Sequence, residues 1–166
     1  MTQRIKIALM ALVFSAGLAG LAAANPLEAG MDAYQRGDYA AAMSLLRPLA
    51  DNDDPAAKYT LGFMFQNGLG VTPDQVLAAS FFHEAADLGY APAMVNLGAM
   101  FETGAGIPVD KVEAHKWYSL AIKSLKTPAD ATARDAASAN RKALAARMSE
   151  SELADAREAA AAWRPK

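Results

Sequence analysis

A period of 36 residues runs through the middle of this sequence and constrains its fold more than any other feature. The segments that match at this spacing are Leu61-Gly62 with Leu97-Gly98, Gly68-Leu69-Gly70-Val71 with Gly104-Ala105-Gly106-Ile107, Asp74 with Asp110, and Phe81-Phe82 with Trp117-Tyr118. The same shift backwards carries Ala78 to Ala42 and Phe82 to Leu46, which indicates an earlier unit with a shorter glycine loop. Repeats of this length are typical of chains in which one small helical unit stacks on the next.

Each unit is predicted to be a helical hairpin. In the second unit, Asp54-Pro55 combines a capping residue with a proline at the first helical position. The apolar stripe that follows has helical spacing and ends at Gly68 and Gly70, because glycine adopts the positive φ of a helix end without strain. Thr72-Pro73 then restarts the chain into a second helix, which stops at Gly89.

The repeated pattern, A-x3-LG-x2-[FY]-x2-GxGV-x2-D-x3-A-x2-[FW]-x3-AA-x2-G, resembles the Sel1-like repeat, a relative of the tetratricopeptide repeat. The second unit matches from Ala57 to Gly89. The third matches from Ala93 to Ala121 but has Leu125 in place of the closing glycine. The first unit is more similar to an ordinary tetratricopeptide hairpin. The resemblance implies an all-α fold, an α-solenoid of antiparallel helical hairpins.

Composition excludes several other classes of protein. The chain has 166 residues, of which 40 are alanine, and only 8% are aromatic. A large all-β fold is disfavoured because β-branched and aromatic residues are scarce. The absence of cysteine excludes a disulfide scaffold, a cysteine-ligated zinc site and a cysteine nucleophile. A formal charge of −2 gives no indication of a nucleic-acid partner.

The first 24 residues have the pattern of a secretory signal peptide. Arg4 and Lys6 form a positive start, an uncharged apolar stretch follows, and Ala22-Ala23-Ala24 supplies the small residues of a cleavage site. We expect cleavage after Ala24, a periplasmic or secreted protein, and no stable membrane insertion afterwards. The alternative is an uncleaved membrane anchor, since the apolar stretch has about the length of the shortest spanning helix, roughly 17 residues.

The tail is predicted to cap the repeats. Thr127-Pro128-Ala129-Asp130 is a helix start, and that helix is expected to reach Met148. Ser149-Glu150-Ser151-Glu152 is a second capping box, which opens a last helix with Trp163 as a packing anchor. A solenoid needs such a polar-faced terminal element, although a partner-binding hairpin is the alternative. The predicted organisation is therefore a signal peptide (1–24), a first hairpin (25–53), two repeats (54–89 and 90–126) and C-terminal capping helices (127–166).

The glycine loops and histidines are given structural interpretations. Gly68-x-Gly70 and Gly104-x-Gly106 lack the preceding strand and third glycine of a dinucleotide-binding loop, so we interpret them as turns. His83 and His115 occupy different repeat positions and belong to no metal-binding motif; His83 is expected to form an ordinary surface pair with Asp87.

The acidic residues at helix starts and turns are also interpreted as structural. Asp74 and Asp110 stand at the starts of helices, where a carboxylate favourably meets the helix dipole. The Asp51–Asp54 turn lacks the glycine bend and closing glutamate of a calcium loop, so we interpret it as a solvated turn with an N-cap. We therefore predict no catalytic residue, no bound cofactor and no metal site.

Recognition of another protein remains as the expected function. In tetratricopeptide-type stacks the first helix of each hairpin lines the concave face, and the resemblance places twelve candidate partner-binding residues there: Glu28, Asp32, Gln35, Arg36, Tyr59, Phe63, Gln66, Asn67, Val95, Ala99, Glu102 and Thr103. Apolar anchors framed by polar groups suit a peptide groove. The competing interpretation is that Tyr59 and Phe63 only pack between helices.

We accordingly expect a non-enzymatic module of the cell envelope that scaffolds or regulates another protein or peptide through its concave face. Two alternatives stay open at this stage. One is a cell-wall-related hydrolase or β-lactam-binding protein, although the β-lactam-linked members that the chain resembles are rich in cysteine. The other is a structural subunit that self-associates as a homodimer.

Overall fold

The computed structural model describes residues 25–166. This part of the chain forms eight α-helices and one short 3₁₀ helix, joined by turns. The expected signal peptide lies outside the described residues. The helices are α1 (Pro26–Gln35), α2 (Tyr39–Asp51), α3 (Pro55–Asn67), α4 (Gln75–Asp87), α5 (Ala91–Thr103), α6 (Lys111–Ser124), α7 (Ala131–Ala145) and α8 (Glu150–Ala162), with the 3₁₀ helix at Pro128–Asp130. The described range contains no strand, so the all-α prediction is confirmed.

Most helices begin at a short polar side chain, as the sequence predicts. The carboxylates of Asp54, Asp74 and Asp110 each accept a hydrogen bond from a backbone N–H in the first turn of the following helix. Such a cap contributes about 1 kcal/mol to helix stability. Both capping boxes of the tail, Thr127 with Asp130 and Ser149 with Glu152, are also present.

The hairpins stack in chain order. Helices α1 and α2, α3 and α4, and α5 and α6 form the hairpins, and contacts of α2 with α3 and α4 with α5 join them. One apolar cluster centres on Leu46, Leu61 and Met64 in the first two hairpins. A second cluster extends through Phe82 and Tyr118 to the tail. This sequential packing confirms the predicted α-solenoid.

Close approach within each hairpin depends on a glycine. A Cβ added to Gly62 would lie 2.9 Å from the Phe82 ring, and one added to Gly98 would lie 2.8 Å from the Tyr118 ring. The first hairpin has the same arrangement, because a Cβ on Gly30 would lie 2.6 Å from Leu46. Gly30 is therefore the counterpart of Gly62 and Gly98 in the first unit.

The tail departs from the regular stacking. Helix α7 packs against α5 and α6, as the next repeat would, but α8 packs against α6 rather than pairing with α7. The first tail helix also ends earlier than expected, at Ala145 instead of Met148, because the chain turns through hydrogen bonds from Arg147 N to Leu144 O and from Met148 N to Ala145 O. Within residues 25–166, no helix is both long enough and apolar enough to cross a bilayer.

Candidate protein-binding face

The twelve predicted partner-binding residues all lie on the first helices of the three hairpins or directly at their ends. Four are on α1 or at its C-cap, four on α3 and four on α5. We call the surface that α1, α3 and α5 present the A-helix face. The structure places these residues on one kind of element, but it gives them different surroundings.

An apolar pocket of about 240 Å³ opens between α1 and α3. Tyr59 and Phe63, both predicted, lie in its wall, and Met31, Tyr34 and Thr60 complete it. The Tyr34 ring meets the Phe63 ring edge-on, with centroids 6.5 Å apart. The Thr60 hydroxyl donates a hydrogen bond to the Ala56 carbonyl at 2.8 Å, so this group does not require a polar partner on a ligand. The pocket is therefore shaped to receive an apolar side chain.

Tyr59 packs between helices as well as lining this pocket. Its ring lies 5.7 Å from that of Phe82 and 5.3 Å from that of Tyr90, measured between centroids. Burial and the neighbouring Tyr90 raise the pKa of the Tyr59 phenol, against a hydrogen bond with Asn96 that lowers it. The two interpretations of this residue are thus compatible, since one face of the ring supports the stack and another borders the pocket.

Sequence reasoning missed Met31, Tyr34 and Thr60. On α1 it selected Asp32 and Gln35, each one residue beyond the side chain that reaches the pocket. The useful signal was Gly30: because it packs as Gly62 does, the residues that follow them, Met31 and Phe63, face the same side. Alignment of the first unit on this glycine would have found Met31.

The four α1 candidates are exposed, and all but Gln35 are charged. Glu28, Asp32, Gln35 and Arg36 all face solvent, and Arg36 forms an ion pair with Asp32 one turn away. They border a strongly acidic part of the chain, since residues 25–110 hold eleven carboxylates and three basic side chains. Residues 111–166 have the opposite balance, with eleven basic side chains and seven carboxylates. The net charge is therefore −8 over residues 25–110 and +4 over residues 111–166.

The α5 candidates are engaged in the fold. Val95 and Ala99 pack against the second apolar cluster. The Glu102 carboxylate accepts a hydrogen bond from the Tyr118 hydroxyl at 2.9 Å and pairs with Arg147 at 2.5 Å. Thr103 donates its hydroxyl to the Ala99 carbonyl at 2.8 Å. Glu102 thus connects α5 to α6 and to the segment after α7, and its negative charge is paired with Arg147 within the molecule.

Two hydrogen bonds between side chains and backbone carbonyls stabilise the C-terminal end of α3. Asn67 donates its side-chain amide to the Phe63 carbonyl at 2.9 Å. The carbonyl of Gln66 accepts from the side chain of Gln75 at 2.9 Å, which ties the end of α3 to the start of α4. These bonds orient the rim of the A-helix face beside Phe63.

The glycine loops, His83 and the acidic turn before α3 lie where their structural interpretations place them. Gly68, Gly70, Gly104 and Gly106 all have positive φ and form the hairpin turns. The His83 imidazole lies 3.5 Å from the Asp87 carboxylate on the surface of α4. Asp53 and Asp54 form the turn before α3, where Asp53 pairs with Lys58 at 3.2 Å. No group of His, Asp and Glu within residues 25–166 is arranged to hold a metal ion.

Stacked hairpins with glycine turns define this chain as an α-solenoid repeat protein. The family model described as Sel1 repeat matches residues 55–90 and 91–124. The chain therefore contains two Sel1 repeats, as its motif predicts. Sel1 repeats serve as scaffolds for protein–protein interactions and are generally non-catalytic.

Two solved structures are similar to this chain. One is a protective antigen of uropathogenic Escherichia coli with an SLR fold, 23% identical, with a TM-score of 0.72 over 81% of this chain and 28% of the antigen. The other is a Sel1 repeat protein from Oxalobacter formigenes, 34% identical, with a TM-score of 0.58 over 60% of this chain and 41% of that protein. This chain thus spans less than half the length of either relative. The comparison with curated proteins finds no match.

Proposed function

We propose that this protein is a non-catalytic binding module of the cell envelope that holds a segment of another protein on its A-helix face. The apolar pocket between α1 and α3 carries this proposal, because it is open, apolar and lined by three aromatic rings. Aromatic-lined pockets of this kind receive the anchor side chains that dominate binding energy at protein interfaces.

Charge indicates the chemistry of the partner segment. Glu28 and Asp32 are exposed on the helix that supplies Met31 and Tyr34 to the pocket, and the surrounding part of the chain has a large negative excess. Complementary charge speeds association and selects among partners. The proposed partner therefore presents one large apolar side chain with lysine or arginine beside it.

A peptide selection tests this proposal directly. Displayed random peptides selected on the purified protein should converge on an aromatic or large aliphatic residue flanked by basic residues. Phe63→Ala should weaken the selected peptide at least about tenfold, because truncation of an interface anchor typically costs 2 kcal/mol or more, about 30-fold. Val76→Ala removes an exposed apolar side chain from α4 and serves as the matched control. Peptides that bind both variants equally would contradict the proposed site.

Export is part of the same proposal. Residues 1–24 have the charge, apolar stretch and small-residue end of a secretory signal, and we propose cleavage after Ala24 with release into the periplasm or medium. Cell fractionation followed by N-terminal sequencing should find a chain that begins at Asn25. A membrane-bound chain that retains Arg4 and Lys6 would instead support the anchored alternative.

Self-association is a second candidate function, and the charge asymmetry favours it. The acidic residues 25–110 of one copy are complementary to the basic residues 111–166 of another. Light scattering at low ionic strength would then show a dimer that dissociates as salt is added, because exposed charges are screened. Hydrolysis of nitrocefin by the purified protein would support the remaining enzymatic alternative, which no specific feature of the structure favours.

A further inference from the structure

The unusual course of α8 opens a second cavity, which lies apart from the A-helix face. Both tail helices pack against α6, and residues of α6, α7 and α8 together line a cleft of about 640 Å³. We call this the cap cleft. Its polar lining comes from all three helices: His115, Ser119, Ser138, Arg141, Lys142 and Arg157.

The cap cleft is surrounded by positive charge that the fold leaves unneutralised. Arg141 and Lys142 reach it from α7, and Arg157 reaches it from α8. None of the three forms an ion pair with a carboxylate within residues 25–166. The sequence offers them no acidic residue one helical turn away, whereas Arg36, Arg47 and Lys116 each have one.

A buried histidine forms part of the same lining. His115 is only 7% exposed, and its Nδ1 atom has no hydrogen-bond partner among the described residues. A buried polar atom without a hydrogen-bond partner destabilises a fold, so nearly all such atoms in proteins have one. Burial, Arg141 and Arg157 hold the pKa of His115 below its ordinary value. His115 therefore adds a buried imidazole to the lining of the cap cleft, close to the two arginines.

From this geometry we propose that the cap cleft binds a small organic molecule through an oxyanion, either a phosphate ester or a polycarboxylate. Two guanidinium groups approach from opposite helices, and guanidinium pairs with the oxygens of both anions in two-point geometry. The Ser138 hydroxyl adds a neutral donor, whereas the Ser119 hydroxyl donates to the His115 carbonyl at 2.8 Å and accepts from Arg141 at 3.4 Å. The cleft exceeds the size of a bare phosphate, and Ala145 and Ala160 provide an apolar wall for the body of the ligand.

This inference is independent of the proposed protein-binding function, because the two cavities share no residue. Three cations grouped around one cleft suit a compact ligand better than nucleic acid, whose recognition uses an extended basic surface. Bound anion would also raise the pKa of His115 by opposing the two arginines, so binding should be accompanied by proton uptake at this residue.

Calorimetric titration with glycerol 3-phosphate and, separately, with citrate tests the proposal. Either anion should bind the wild-type protein, and the one that binds identifies which oxyanion the site prefers. The double variant Arg141→Gln/Arg157→Gln should bind at least about tenfold more weakly, because it removes both charge-assisted hydrogen bonds to the anion. Arg36→Gln/Arg47→Gln removes the same charge from α1 and α2 and should leave affinity unchanged. Equal weakening in both double variants, or binding of neither anion, would overturn the proposal.

Proton NMR supplies a readout that does not depend on a variant. The chain has two histidines, and His83 lies on the surface of α4 as an internal reference. Saturating anion should raise the midpoint of the His115 titration and leave that of His83 unchanged. If the two midpoints respond alike, or if neither moves, the ligand is not in the cap cleft and the proposal is wrong.

Discussion

Gly106 lies directly against the backbone of Gln75, so that a Cβ added to the glycine would be 2.2 Å from the Gln75 carbonyl oxygen. Gly70 has the equivalent position one repeat earlier, where an added Cβ would be 2.5 Å from the Cβ of Tyr39. Gln75 and Tyr39 each begin the second helix of the preceding hairpin. The second glycine of each GxG loop therefore fits one repeat against the next, in addition to supplying a turn.

Gly106→Ala is expected to destabilise the protein by at least about 2 kcal/mol. A left-handed backbone costs a residue with a Cβ about 1–2 kcal/mol, and the new methyl group must also displace the Gln75 backbone. Gly37→Ala is the matched control, because Gly37 has a similar positive φ but nothing within 4 Å of an added Cβ. Chemical denaturation of the two variants should show a clearly larger loss for Gly106→Ala; equal losses would mean that only the backbone conformation matters.

The second prediction concerns the buried amine of Lys58. Its side chain is 6% exposed and lies 2.5 Å from a Glu84 oxygen and 3.2 Å from an Asp53 oxygen. Burial lowers the pKa of Lys58, but the hydrogen bonds that its amine donates to the two carboxylates, together with their charges, raise the pKa by more, so the amine stays charged. Glu84→Gln should then lower the free energy of unfolding by about 1 kcal/mol, a value reduced by the solvent exposure of Glu84.

The double variant Lys58→Met/Glu84→Gln checks this explanation. Replacement of a buried charge by an apolar side chain of similar length removes the cost of leaving the amine without its partner. Thermal unfolding should therefore show the double variant to be at least as stable as Glu84→Gln alone. A double variant that is much less stable than the single one would show that the Lys58 stem, rather than its charge, carries the interaction.

Trp163 is expected to hold the tail on the repeats. Its ring meets that of Trp117 edge-on, with centroids 6.1 Å apart, and it packs on the second apolar cluster. Trp163→Ala should cost about 2 kcal/mol, less than full burial would give because the side chain is partly exposed. Trp163→Phe keeps an aromatic ring and should cost less than half as much. Denaturation followed by far-ultraviolet circular dichroism measures both, and similar losses would argue against packing as its role.

The sequence was sufficient for the repeated part of the fold because each signal there is local. Asp54, Asp74 and Gly68 define helix ends through their own chemistry, and the 36-residue period places the hairpins in order. The A-helix face was predicted less completely, since a shift of one residue on the short helix α1 exchanges Met31 for Asp32. Gly30 determines that register. Its equivalence to Gly62 becomes evident from its contact with Leu46 in the structure.

The cap cleft could not be predicted from the sequence. The capping boxes at Thr127 and Ser149 mark where the tail helices begin, but they do not indicate which helix each of them packs against. Helix α8 packs against α6, and this long-range contact brings His115, Arg141 and Arg157 together from three separate helices. Their spacing along the chain follows no motif, so His115 looked like an isolated residue.

The stability of the protein should fall as pH decreases below about 6.5 because of His115. Burial, Arg141 and Arg157 lower its pKa in the folded state, and the charged groups that face it from the packed helices, Lys142 included, are all positive. The unfolded chain therefore binds a proton at this residue more readily than the folded one does, with an unfolded pKa near 6.5. The stabilisation is present above that value and is lost as pH falls toward the folded pKa. His115→Gln should flatten the pH dependence of the melting temperature in this range; a variant whose melting temperature depends on pH as the wild type's does would contradict this role of His115.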